Sequence, residues 1–147
     1  MKIEALRKGI ALPIHEPIEI LLLDDNNIER ELIKELLINI GCNVTSVSTE
    51  KECLLRFTYN EYDMVLFDQN ISGTDIDSFV TKLAEINLFT PIAMMVSMDI
   101  DFYAEKYSRS NIDFLISKPF GYAQLQELVE DVIEFSQRLK GTTPVKN

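Results

Sequence analysis

Asp24 and Asp25 close one apolar run of this chain, Asp68 closes a second, and Lys118-Pro119 closes the last. Each run has the length of a buried strand, so each of these groups stands where a strand ends. In an open α/β sheet the carboxyl ends of the strands border a common crevice, where ligands bind. Three carboxylates gathered there suit a hard divalent cation such as Mg²⁺, which takes oxygen ligands and binds through one or two carboxylates. A carboxylate can attack a phosphoryl group only if the charge on the phosphoryl oxygens is neutralised. A cation and the Lys118 ammonium, a point charge on a flexible stem, would supply that neutralisation. In the empty site Lys118 would also offset the repulsion among three crowded carboxylates.

The elements that must position these groups alternate along the chain. IEILLL precedes the acidic pair as an almost continuous apolar run, as in a parallel strand covered on both faces. Residues 26–41 follow with Ile28, Leu32, Ile33, Leu36 and Ile40 at helical spacing; Asn26 is placed to cap, Glu29 sits in capping-box position and Gly41 ends the helix. NVTSVS, DMVLFD, PIAMMVS and DFLIS read as further strands. Between them lie helices opened by Thr49, one carrying Phe79, Val80, Leu83 and Ile86, and a more polar one from about Phe102 to Ser110. A last helix from about Tyr122 to Leu139 has Leu125, Leu128, Val129, Val132 and Ile133 as its apolar face. Five strand–helix alternations imply right-handed βαβ crossovers and a single α/β domain, (βα)5, with helices on both faces of a parallel sheet. The domain is expected over 18–139, with 1–17 an extension and 140–147 a tail or linker.

Composition narrows the function classes. The 147 residues hold 24 acids against 14 bases, a net charge of −10, which argues against direct nucleic-acid binding through a broad basic surface. No run approaches the roughly 20 apolar residues of a membrane span, and a cytoplasmic location is the default expectation. Cys42 and Cys53 have neither disulfide-scaffold density nor metal-ligand spacing and read as reduced thiols; His15, the only histidine, lies in the extension and reads as solvated.

The acidic pair in LLLDDNN, the aspartate ending MVLFD, the NISGTD loop and the closing SKPF, in that order and on strands one, three and five, resemble the response-regulator receiver family, the CheY-like domains. The resemblance covers residues 18–139. It implies a flavodoxin-like strand order 2-1-3-4-5 and a two-component signalling module whose phosphoaccepting aspartate is Asp68. It further implies Mg²⁺ held by Asp25 directly, by Asp24 partly through water, by Asp68 and by the backbone carbonyl of Asn70. Lys118 would pair with a phosphoryl oxygen, and Lys118-Pro119 would be cis. The implied partners are a sensor histidine kinase or histidine phosphotransfer protein and a downstream effector. A homodimer through the helix 4–strand 5–helix 5 face is a further expectation.

The pattern frays in two places. Receivers carry a hydroxyl at the end of the fourth strand; counting from Pro91 or back from Lys118 gives Val96, whereas matching the apolar run gives Ser97, the preferred reading. The family's aromatic switch position falls on Leu115, and Phe114, one residue earlier, would replace it only if the strand bulged; it reads instead as core. Tyr103 and Tyr107 read as half-buried packing rather than as a partner face. Ser72 and Ile76 also depart from the usual loop. These departures motivate the alternative of a phosphorylation-independent scaffold, a pseudo-receiver. A haloacid-dehalogenase-type hydrolase is disfavoured because Asn70 stands where such an enzyme needs an acid.

Overall fold

The computed structural model describes residues 17–141 other than Met98, with side chains through Arg138. The expected extension apart from Pro17, His15 with it, and most of the expected tail lie outside the described residues. Five strands, β1 (Ile18–Leu23), β2 (Cys42–Val47), β3 (Met64–Asp68), β4 (Ile92–Val96) and β5 (Phe114–Ser117), alternate with α1 (Asn27–Ile40), α2 (Glu50–Tyr59), α3 (Ile76–Ile86), α4 (Ile100–Lys106) and α5 (Tyr122–Gly141). The sheet is wholly parallel in the order β2-β1-β3-β4-β5.

Because β-strand side chains alternate between faces, each strand contributes to two cores. Ile20, Leu22, Met64, Leu66, Ala93, Met95 and Ile116 meet α1 and α5 on one face. Leu21, Leu23, Val65, Phe67, Met94 and Val96 meet α2 and α3 on the other. The expected apolar face of α5 is buried throughout. On α1 the buried stripe is Ile33, Leu37 and Ile40, whereas Ile28 and Leu32 are exposed. A 3.6-residue repeat turns those two past the edge of the sheet, so five apolar positions at helical spacing overstate the buried face.

Helix ends follow local chemistry. Asn26, Thr49 and Asp75 accept the N–H of Glu29, Glu52 and Ser78. Helix α4 begins at Ile100, two residues before the expected start, because the Asp99 carboxylate accepts the Phe102 N–H, and it stops at Lys106. Gly41 ends α1 at φ 113°, with its N–H donating to Leu37 and Ile38 carbonyls. A Cβ there would meet nothing within 4 Å, so only backbone strain opposes a side chain. Gly41→Ala is therefore expected to cost about 1 kcal/mol; an unchanged urea midpoint would contradict this reading of the turn.

Candidate functional site

Asp24, Asp68 and Lys118 each follow, two residues on, a side chain of the α1/α5 core: Leu22, Leu66 and Ile116. Alternation therefore points all three to the same side of the sheet, at the carboxyl ends of three neighbouring strands. Register brings the strand ends level. The Asp24 N–H donates to Val47 O (3.2 Å) and the Lys118 N–H to Val96 O (2.7 Å), while Asp68 sits opposite Met95. Lys118-Pro119 is cis.

Asp24 and Asp68 are buried. Asp24 Oδ1 accepts the Asn26 N–H (2.9 Å), and Asp68 Oδ2 accepts the Asn70 N–H (2.9 Å). Arg30 turns its guanidinium to the Asp24 carbonyl (2.7 Å) and to Asn27 Oδ1 (2.7 Å), which fixes the chain where β1 enters α1. Lys118 Nζ pairs with Asp68 Oδ1 and, at 2.8 Å, with Glu29 Oε2. One carboxylate oxygen from each of Asp24, Glu29 and Asp68 lies within 4.8 Å of the others.

Glu29 is the site residue that the sequence reading missed. Its capping-box position gave it a backbone role, reaching back to the Asn26 N–H. Asp24 Oδ1 takes that N–H instead, and the Glu29 carboxylate is free to turn into the pocket. The usable signal was an acid one helical turn beyond Asp25, on a helix starting at the crevice. Asp25 lies at the exposed rim, where its carboxylate accepts the Ser72 N–H (2.9 Å) and ties the loop after β3 to the first strand. Asn70 is exposed and meets Asp68 through its N–H.

Crowding perturbs these groups in opposite directions. Burial, then a hydrogen bond shared with Glu29 and the nearby Glu29 and Asp68 charges, raises the Asp24 carboxyl to about 7, against an opposing Asn26 hydrogen bond. Burial also presses Glu29 upward, but the hydrogen bonds to Asp24 and Lys118 win and hold it below the usual range. Burial works against the Lys118 ammonium, yet its bonds to Asp68 and Glu29 keep its pKa above the ordinary value. The Ser72 N–H holds Asp25 low. Away from the pocket, burial pushes the Cys53 thiol up to about 12. That makes Cys53 a core side chain, and it should resist alkylation by iodoacetamide at pH 8 in the folded state; rapid modification without unfolding would contradict this.

Ser97 is the first residue after β4 and is exposed, with its N–H donating to Gln69 Oε1 (3.0 Å). Val96 is fully buried in the α2/α3 core. Ser97 stands two residues after Met95, which pairs with Asp68 across the sheet. Strand β5 pairs without a bulge, so Phe114 faces the α1/α5 core and stacks edge-on against Phe135 (5.4 Å), while Leu115 faces the other way. Tyr103 and Tyr107 are partly buried against the second core, their rings 6.5 Å apart, beside a cleft of about 400 Å³ between α4 and β5. Among the described residues no helix is long and apolar enough to cross a membrane.

The chain is similar over 131 residues, at 24% identity, to the transcriptional regulatory protein ZraR of Escherichia coli, covering 88% of this chain and 30% of that one. It is similar at 26% identity over 101 residues to the transcription factor SKN7 of Candida albicans, covering 69% of this chain and 18% of that one. The chain thus spans less than a third of these curated relatives. Chemotaxis response regulator CheY4 of Vibrio cholerae superposes with a TM-score of 0.73 at 20% identity, covering 80% of this chain and 99% of that one. The family model for the response regulator receiver domain matches residues 20–130. Strand order, strand-end acids and this match agree: the chain belongs to the response regulator receiver domain family.

Proposed function

We propose that Asp68 accepts a phosphoryl group from a sensor histidine kinase or a histidine phosphotransfer protein, in a Mg²⁺-dependent reaction, and that the new charge shifts the chain's affinity for an effector. The observation that carries this reading is the Asp68 carboxylate itself. It stands at the end of a central strand, paired with Lys118 and within reach of further acidic oxygens.

The residues fit a divalent cation. Asp24 Oδ2 is buried and accepts no N–H or O–H from the described residues, and the carboxylate's near neighbours are those of Glu29 and Asp68. Such an oxygen is costly unless something occupies it or it is protonated. Asp24, Asp68 and Asp25, with the Asn70 carbonyl, would hold Mg²⁺ there. When bound, Mg²⁺ neutralises charge on phosphoryl oxygens and orients them. The protein's own residues do the rest. An Asp68 oxygen forms a bond to phosphorus as the donor's P–N bond breaks, and the electron pair stays with the leaving imidazole, which takes a proton from solvent. Lys118 then exchanges a carboxylate oxygen for a phosphoryl oxygen and holds it as a point charge. Ser97 is the first residue after β4, and we assign its hydroxyl the hydrogen bond that reports the phosphoryl group to β4. An effector that binds one arrangement more tightly then shifts the population.

The test is chemical trapping. After incubation with acetyl phosphate and Mg²⁺, borohydride reduction converts an acyl phosphate into a mass-shifted residue that peptide mapping locates. Modification at Asp68 is expected. Modification confined to other residues, or none with donor and Mg²⁺ in excess, would refute the assignment.

A further inference from the structure

Glu29 has no duty in the reaction just described, yet it is the second carboxylate partner of Lys118. The backbone bond that its sequence position offers is already made by Asp24. Its own N–H is capped by Asn26 Oδ1 (2.9 Å), which fixes the first turn of α1 and leaves the side chain turned toward Lys118. Both side chains of the ion pair are shielded, with 22% and 30% of their surface exposed, so solvent screens this contact less than a surface pair.

We infer that Glu29 is a positioning residue that competes with the phosphoryl group for Lys118, and so sets how firmly the charged pocket is held. The inference rests on the phosphoacceptor reading of Asp68. Before phosphorylation Lys118 is shared between two carboxylates, Asp68 and Glu29. Phosphorylation of Asp68 replaces one carboxylate charge with a phosphoryl group carrying nearly two. Lys118 must then divide itself between that group and Glu29, and the Glu29 carboxylate also lies among the like charges that repel the phosphoryl oxygens. The same negative charge favours a cation. With Asp24 and Asp68 oxygens within 4.8 Å, Glu29 adds to the field that attracts Mg²⁺ whether or not it touches the ion. One side chain thus acts with opposite sign on the two ligands of the pocket: it tightens the cation and loosens the phosphoryl group.

A purely structural Glu29 would not produce that pair of effects. Loss of packing or of helix order would weaken both ligands together. Glu29→Gln keeps the shape and a hydrogen-bond acceptor for Lys118 while removing the charge, and it leaves the Asn26 cap in place.

The chain has no tryptophan, so calorimetry is the suitable readout. Full-length wild type and Glu29→Gln are titrated first with Mg²⁺ alone. They are then titrated at saturating Mg²⁺ with beryllofluoride, which mimics the acyl phosphate on Asp68. The expected result is Mg²⁺ affinity reduced roughly three- to tenfold in Glu29→Gln and beryllofluoride affinity raised by a similar factor, the range set by a single partly shielded charge. Equal beryllofluoride affinity in the two proteins, or a decrease in the variant, would overturn the inference while leaving the phosphoacceptor reading intact. Absence of beryllofluoride binding by either protein would instead contradict the phosphoacceptor reading, and the inference with it.

Discussion

Asp24→Asn is expected to raise the melting temperature of the metal-free protein at pH 8 by several degrees, while weakening Mg²⁺ binding at least tenfold. The Asp24 carboxyl is raised from 3.8 to about 7 by burial and by the Glu29 and Asp68 carboxylates. A folded-state value above the unfolded one means that the folded chain holds the proton more tightly. That contribution to stability is complete below pH 3.8 and is lost as pH rises through about 7. At pH 8 the metal-free protein therefore carries an ionised carboxylate that the fold disfavours, and an amide removes the penalty of about 1–3 kcal/mol. In a domain of this size each kcal/mol moves the melting temperature by about 2–4 °C. Mg²⁺ binding has the opposite pH sense: affinity climbs between pH 6 and 8 as Asp24 ionises. Thermal scans of both proteins at pH 5 and 8, with and without Mg²⁺, check this. A variant less stable than wild type at pH 8 without metal would contradict it. A binding function that depends on destabilised groups is a common compromise.

Lys118→Ala is expected to be damaging in the same pocket for the converse reason. It leaves Asp68 and Glu29, both shielded from water, without their cation. Removing one partner of a buried pair costs about 3–5 kcal/mol; because Lys118 is partly exposed, a loss of about 2 kcal/mol is expected at pH 8. The deficit should shrink toward acid pH as Glu29, which Lys118 helps hold below the usual range, takes up a proton, and it should shrink on adding Mg²⁺, which binds the folded state and stabilises it by mass action. Urea midpoints for wild type and variant across those conditions measure it. A deficit that ignores both pH and Mg²⁺ would mean that Lys118 matters for packing and not for charge. Phosphoryl acceptance by the variant should fall even where it is fully folded, since the ammonium pairs directly with Asp68, where the developing charge would lie.

Much of this pocket is legible in the sequence. Asp24, Asp68 and Lys118 sit at the ends of apolar runs, and a parallel sheet brings such ends together. Pleat alternation also settled Phe114: without a bulge it cannot face the side that Leu115 faces, and it packs on Phe135. Glu29 was not legible because two local rules competed for one N–H. The capping box assigns the Asn26 N–H to Glu29, but Asp24 is closer along the chain and takes it. The exposure of Ile28 and Leu32 was hidden for a related reason, since periodicity gives the spacing of a stripe and not its width. At the end of β4 an apolar run alone could not choose between Val96 and Ser97. Val96 is buried in the α2/α3 core, and Ser97 is exposed just past the end of the strand.

The most direct measurement is transfer of labelled phosphoryl group from a purified phosphohistidine donor to wild type and Asp68→Asn, each with Mg²⁺ and with excess chelator. Label on wild type with Mg²⁺, and loss of it both in the chelated reaction and in Asp68→Asn, is the predicted result. Equal labelling of Asp68→Asn and wild type would contradict the account at its centre.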